Sequence, residues 1–128
     1  KSYGYDKSNR LISFGENSNG TITPIATYLH NGLGQRVSKT VVAQNGNSGY
    51  TSHYVYNGQG ELIHERKVLT DGSELAIDIV WLAGKPLVQY ETLINVGSSA
   101  PTPTDTWLIS DHLNTPRIGL DNNQQQVW

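Results

Sequence analysis

The chain has 128 residues, a net charge of −2, 36% hydrophobic and 16% charged residues, and neither cysteine nor methionine. The length suits one domain, 1–128. The charge argues against a nucleic-acid partner, the missing cysteine excludes disulfides and thiolate metal sites, and no apolar run approaches the ~20 residues of a membrane-spanning helix.

Taken in order, the chain reads as strands separated by turn residues. No stretch sustains apolar spacing at i, i+3, i+4 and i+7, because Gly, Asn or Thr interrupts each candidate. Tyr3–Asp6 and Arg10–Phe14 flank a turn at Lys7-Ser8-Asn9, and Glu16–Gly20 reads as a polar loop. Ile22–His30 is a strand, and Pro24 near its start suits an edge better than a sheet centre. Asn31-Gly32 turns the chain into Gln35–Ala43, and a loop over 44–49 follows. Tyr50–Tyr56 and Glu61–Leu69 form a hairpin across Asn57-Gly58-Gln59-Gly60. Asp71-Gly72 leads to Glu74–Leu82, where Leu75, Ile77, Ile79 and Trp81 alternate onto one face. That alternation predicts the most buried strand face of the chain. Ala83-Gly84 turns into Pro86–Ile94, and the Ser/Thr/Pro-rich 95–103 segment reads as a mobile loop. Trp107–Ser110, a polar turn at Asp111–Thr115, a strand from Pro116, a turn at Asp121-Asn122-Asn123 and Gln124–Trp128 complete the chain.

An internal repeat organises these strands. Tyr3-Gly4-Tyr5-Asp6 precedes Arg10-Leu11-Ile12; Tyr28-Leu29-His30-Asn31 precedes Gly34-Gln35-Arg36-Val37; Tyr54-Val55-Tyr56-Asn57 precedes Gly60-Glu61-Leu62-Ile63. Looser copies run through Trp81-Leu82-Ala83-Gly84 and through Trp107–Asp111. The key positions Asp6, Asn31, Asn57, Gly84 and Asp111 are 25, 26, 27 and 27 residues apart. Aromatics fit a pleated surface. Asp or Asn opens a turn through its own side chain, and Gly or Asn supplies φ > 0. One such hairpin cannot bury its own face. The expected fold is therefore all-β, antiparallel hairpin repeats forming an extended or curled sheet.

Tyr3–Leu11, in the pattern Tyr-x-Tyr-Asp-x-x-x-Arg-Leu, resembles a YD repeat. The block Asp111, His112, Leu113, Asn114, Thr115, Pro116, Arg117 resembles the Asp-His-Leu-Gly-Thr-Pro-Arg signature near the end of the Rhs core. Asn114 stands where that family usually has Gly, Asn9 does so in the first copy, and Asn replaces Asp in two copies. The resemblance to the Rhs/YD-repeat family, found in polymorphic toxins and insecticidal toxin-complex proteins, spans nearly the whole chain. It implies a structural segment of a β-sheet shell that encapsulates a C-terminal toxin or effector, in a secreted or cell-surface bacterial protein. Flanking repeats and that effector are the implied partners. A self-cleavage motif of the Asp-Pro-x-Gly type, often present after the core in Rhs proteins, is not found in the chain.

No nucleophile motif, zincin pattern or phosphate loop is present. Asp111-His112 pairs a carboxylate with an imidazole, but neighbours on a strand or turn point apart, so the block is read as a structural turn and not as a catalytic dyad. A symmetric loop over Asn57–Gly60 would pair Tyr56 with Glu61 and set His53 opposite His64, close enough to share a metal or to form a polar cross-strand pair. Two ligands do not close a site, and no cofactor is expected. Arg66 or His64 is expected to pair with Asp78 across the next hairpin. The aromatics Tyr54, Tyr56, Trp81 and Trp107 could stack on a glycan, which gives the alternative function of a carbohydrate-binding module; their recurrence at repeat positions also suits plain strand packing. The chain starts inside a motif and lacks methionine, and so reads as a fragment of a longer protein. Its uncovered edges and faces predict a homo-oligomer when isolated.

Overall fold

A computed structural model of the chain describes residues 1–44, 46–97, 101 and 103–128. Ten strands make one open antiparallel sheet in chain order. They are β1 (Ser2–Tyr5), β2 (Leu11–Ser18), β3 (Thr21–His30), β4 (Arg36–Val41), β5 (Tyr50–Tyr56), β6 (Leu62–Leu69), β7 (Glu74–Leu82), β8 (Lys85–Ile94), β9 (Thr104–Ser110) and β10 (Pro116–Leu120). No helix occurs among the described residues. The all-β hairpin sheet read from the sequence is the one that forms. Asn45, and residues 98–100 and 102 of the 95–103 segment expected to be mobile, lie outside the described residues.

Two local expectations are corrected. Glu16–Gly20 is not a loop: β2 runs through Ser18, and only Asn19 (φ 51°) and Gly20 (φ 84°) turn, joining Ser18 to Thr21. Two left-handed residues in succession give the tightest hairpin, and Asn-Gly is the dipeptide that adopts it most readily. Pro24 lies in an interior strand, not at an edge. It sits at a register shift, where Phe14 faces Ala26 and Gly15 faces Pro24, beyond the last β3–β4 partner, Val41. The missing N–H of proline therefore interrupts no ladder on the β4 side.

The register sorts side chains onto two faces. One carries Tyr3, Phe14, Tyr28, Tyr50, Tyr54, Tyr56, Leu75, Ile77, Ile79 and Trp81, and is called here the aromatic face. The other carries His53, His64, Arg66, Glu74, Asp78 and Trp107. On the aromatic face Tyr3 and Phe14 stack with centroids 5.2 Å apart. The ammonium groups of Lys39 and Lys67 both lie against the Tyr50 ring, at 5.3 and 4.2 Å. Those two lysines flank Ser52 in register, and Ser52 is 1% exposed.

The expectation for Leu75, Ile77, Ile79 and Trp81 fails. All four are only half-buried, whereas the buried apolar side chains among the described residues include Ala26, Pro86, Val88 and Leu108. Alternation says which residues share a face; it does not supply a second layer to cover that face. Small side chains and inner strands, shielded by larger neighbours in the same sheet, become the buried ones instead. The surface area reports the same thing. The chain exposes 8569 Å², against the roughly 6,700 Å² that a compact protein of this mass exposes.

Val80 and Val88 test this arrangement because they face each other across β7–β8. Val88 is 3% exposed and Val80 44%. Both lose the same strand propensity on truncation, so the difference isolates burial. Val88→Ala should cost about 1.5–3 kcal/mol in urea melts and Val80→Ala less than about 1 kcal/mol.

Candidate functional site

In a meander, successive connections alternate between the two ends of the sheet. The β1–β2, β3–β4, β5–β6, β7–β8 and β9–β10 turns thus lie along one rim. The key positions of all five repeat copies fall there, so this rim is the candidate site.

Four of its five turns share one geometry. At Asp6, Asn31, Asn57 and Asp111 the backbone N–H of the key residue donates to the carbonyl four residues on, and its own carbonyl accepts from the N–H three residues on. Its Oδ1 accepts two further backbone N–H groups, two and four residues on. These are Ser8 and Arg10, Leu33 and Gln35, Gln59 and Glu61, and Leu113 and Thr115, all at 2.8–3.0 Å. The fourth residue is left-handed in each: Asn9 (φ 58°), Gly34 (82°), Gly60 (85°) and Asn114 (62°). Asn114, which stands at the Gly position of the resembled signature, is there because Asn is the side-chain-bearing residue that best tolerates this region. Asp121 repeats the pattern on the opposite rim, with Asn123, Gln125 and Gln124 (φ 63°). The β7–β8 connection differs: Ala83 (φ 50°) and Gly84 (φ 74°) make a two-residue turn.

The second atom of each key side chain finds a partner of matching kind. Asp6 Oδ2 accepts from Arg10 Nε at 2.7 Å, and Asp111 Oδ2 from Arg117 Nε at 2.8 Å. Where the key residue is Asn, its Nδ2 needs an acceptor, and Gln35 or Glu61 supplies one at 2.7 and 2.6 Å. These partners were not singled out from the sequence. The signal was present: the residue four on is Arg after Asp6, Gln after Asn31 and Glu after Asn57.

Side chains also tie one hairpin to the next. Arg10 Nη1 donates to the Asn31 carbonyl at 3.0 Å, Tyr56 Oη to the Arg36 carbonyl at 2.9 Å, and Trp81 Nε1 to the Leu62 carbonyl at 2.8 Å. Removing its hydroxyl from water raises the pKa of Tyr56.

The singled-out residues are distributed as follows. The Asp111 carboxylate is taken up by Leu113, Thr115 and Arg117, and His112 is an exposed turn residue outside that network. Leu113 is exposed, and Pro116 faces Ser110 as the first residue of β10. His53 and His64 do not face each other: His53 faces Arg66, and Val55 faces His64. The Asn57–Glu61 turn closes with a register shift between Val55 and Tyr56, which displaces the pairing from the symmetric register. His64 Nδ1 instead lies 2.7 Å from Asp78 Oδ1. Arg66 does not pair with Asp78; both its nitrogens bind Glu74. Among the described residues no three His, Asp or Glu side chains converge as metal ligands. Tyr54, Tyr56 and Trp81 share the aromatic face, while Trp107 lies on the other, its Nε1 3.1 Å from Asn122 Oδ1.

No protein-family model matches the chain, and no curated protein matches it.

The turn geometry sets two expectations. Asn114→Gly should be neutral or stabilising in urea melts, and Asn114→Val should cost about 1–2 kcal/mol, since a β-branched side chain opposes positive φ. The second concerns pH. The N–H of Thr115, followed by Arg117, lowers the pKa of Asp111, and the N–H and guanidinium of Arg10 do the same for Asp6. A carboxylate whose pKa is depressed by folding adds stability above its unfolded pKa, and that stability is lost as acid protonates the folded form. Stability should therefore fall as pH drops below the ordinary value of 3.8. In Asp111→Asn the protein should be weaker at neutral pH and its acid limb shallower, as denaturant midpoints at pH 2–6 will show.

Proposed function

We propose that this chain is a non-catalytic structural segment of a YD-repeat shell that encloses a C-terminal toxin or effector, within a secreted or cell-surface bacterial protein. The observation that carries the reading is one turn geometry repeated along a single rim, with side-chain ties between successive hairpins, on a sheet with no covering layer. Every side chain of the Asp111–Arg117 block with an assigned hydrogen bond uses it to build its own turn. This is how a scaffold uses its polar groups. The surplus of exposed surface, close to 1,900 Å² above a compact chain of the same mass, supports faces that are covered by other polypeptide. Flanking repeats would extend the edges, and the effector would occupy one face. Isolated chains would cover the same surface by associating with one another.

The alternative of a glycan-binding module draws on the same aromatics. Against it stand the Tyr56 hydroxyl and the Trp81 indole N–H, which already bind backbone carbonyls, and Trp107, which lies on the opposite face.

Limited proteolysis of the full-length protein tests the shell. The polypeptide downstream of this segment should resist protease, and Asp6→Ala with Asp111→Ala should speed its digestion at least tenfold. Equal digestion with and without those substitutions would overturn the reading. Saturable glycan binding by the folded chain, lost on Tyr54→Ala, would favour the alternative. For the isolated chain, light scattering after size exclusion should give a dimer or larger species. A monodisperse monomer at 14.1 kDa would show that its faces need no cover.

A further inference from the structure

Two of the ties along the rim share one geometry. Tyr56 and Trp81, each on the aromatic face near the end of its strand, reach back over the preceding hairpin. The acceptor is in each case the carbonyl of the residue that pairs with the corresponding residue of that hairpin. Tyr56 binds the carbonyl of Arg36, which pairs with His30; Trp81 binds the carbonyl of Leu62, which pairs with Tyr56. The corresponding residue of the β9–β10 hairpin is Ser110, and the matching carbonyl belongs to Pro86, which pairs with Trp81; His30, at the corresponding place in the β3–β4 hairpin, makes no such tie either, and its Nδ1 is buried without a partner among the described residues. A serine is too short for the reach. Its Oγ is buried and has no hydrogen-bond partner among the described residues.

Where a ring would lie there is a hollow of about 160 Å³, lined by Leu82, Lys85, Pro86, Leu87, Leu108 and Ser110. The lining is mostly apolar. The size is comparable with the apolar cavity of about 150 Å³ that takes up benzene in another protein.

We propose that this hollow is a binding site for a small aromatic ring bearing one hydrogen-bond donor, a phenol or an indole. The ring takes the place that the Trp81 and Tyr56 rings take one and two hairpins earlier, against Leu87 and Leu108. Its O–H or N–H donates to the Pro86 carbonyl. The apolar walls supply affinity, and the carbonyl selects for a donor. The site follows from a gap in the hairpin ties and does not rest on the shell reading.

The test uses the folded 128-residue chain with p-cresol and 3-methylindole as probes and toluene as the donorless control. In NMR titrations both probes should shift resonances of Leu87, Leu108 and Ser110 saturably. Intermolecular NOEs should run from the probe to the methyl groups of Leu82, Leu87 and Leu108. Toluene should bind about fivefold more weakly, the effect of one net hydrogen bond. Ser110→Tyr should fill the hollow from within, raise the thermal midpoint and abolish p-cresol binding. Absence of saturable shifts at millimolar probe, NOEs to a different part of the sheet, equal affinity for toluene, or undiminished p-cresol binding in a folded Ser110→Tyr protein would each overturn the proposal. The NOE pattern and the toluene comparison stand even where Ser110→Tyr fails to fold.

Discussion

One interaction underlies the whole sheet: a single Asp or Asn oxygen holding two backbone N–H groups at the start of a turn. A five-residue turn leaves several donors without ladder partners, and a hydrogen bond that gives one of them a protein acceptor contributes about 0.5–1.5 kcal/mol net. The Oδ1 of Asp6, Asn31, Asn57 or Asp111 satisfies two of them at once. The left-handed fourth residue then points the chain back along the sheet. With the return direction fixed locally, each strand pairs with the one made just before it, and the sheet grows in sequence order. Topology here is the sum of local turn decisions. Such pairings are short in sequence, which favours rapid formation.

That economy leaves the sheet one layer thick. Two-layer packing is how domains usually bury a sheet face, and here the aromatic face has no partner layer among the described residues. The sheet compensates within itself. Lysine stems and tyrosine rings lie over the small residues between them, as Lys39, Lys67 and Tyr50 do around Ser52. Ala26 and Thr106 are buried too, and beside Thr106 the Trp128 indole of the C-terminal segment lies over Gly119. Charged pairs such as Lys1–Glu16 are more than half exposed, and contribute little to holding the array together.

Much of this was legible in the sequence because turn chemistry is local. Asp6, Asn31, Asn57 and Asp111 announce their turns, and β5, β7 and β10 end where their turn residues require. Asn114 takes the left-handed conformation expected of an Asn at the end of a polar turn. What was not legible depends on more than one residue. The turn takes in one residue more than the symmetric loop, so that Tyr56 faces Leu62, and the bulge beside Tyr56 adds another, so that His53 faces Arg66, two residues from His64; pattern alone gives no count of the residues that a turn absorbs. The burial order was missed because Leu75, Ile77 and Ile79 alternate like core residues, although nothing lies on them. The ties from Tyr56 to Arg36 and from Trp81 to Leu62 span 20 and 19 residues and use carbonyls, which every residue has, so no side-chain motif marks their acceptors.

These ties decide how the array behaves as a whole. Stacked repeats gain cooperativity from the interface between neighbours, not from any one unit. On the turn rim that interface includes three polar links, from Arg10, Tyr56 and Trp81, in addition to the strand ladders. Among the described residues the connections of the opposite rim are dissimilar: the two-residue Asn19-Gly20 turn, the Asp71-Gly72 turn and the Asp121 turn. A rim of uniform, linked turns sets the spacing and direction of the hairpins. A rim of dissimilar loops can change in length and composition without disturbing that spacing, because the strands it joins are already placed from the other end. The two ends of the sheet thus divide the work: one rim builds the array, and the other is free to vary.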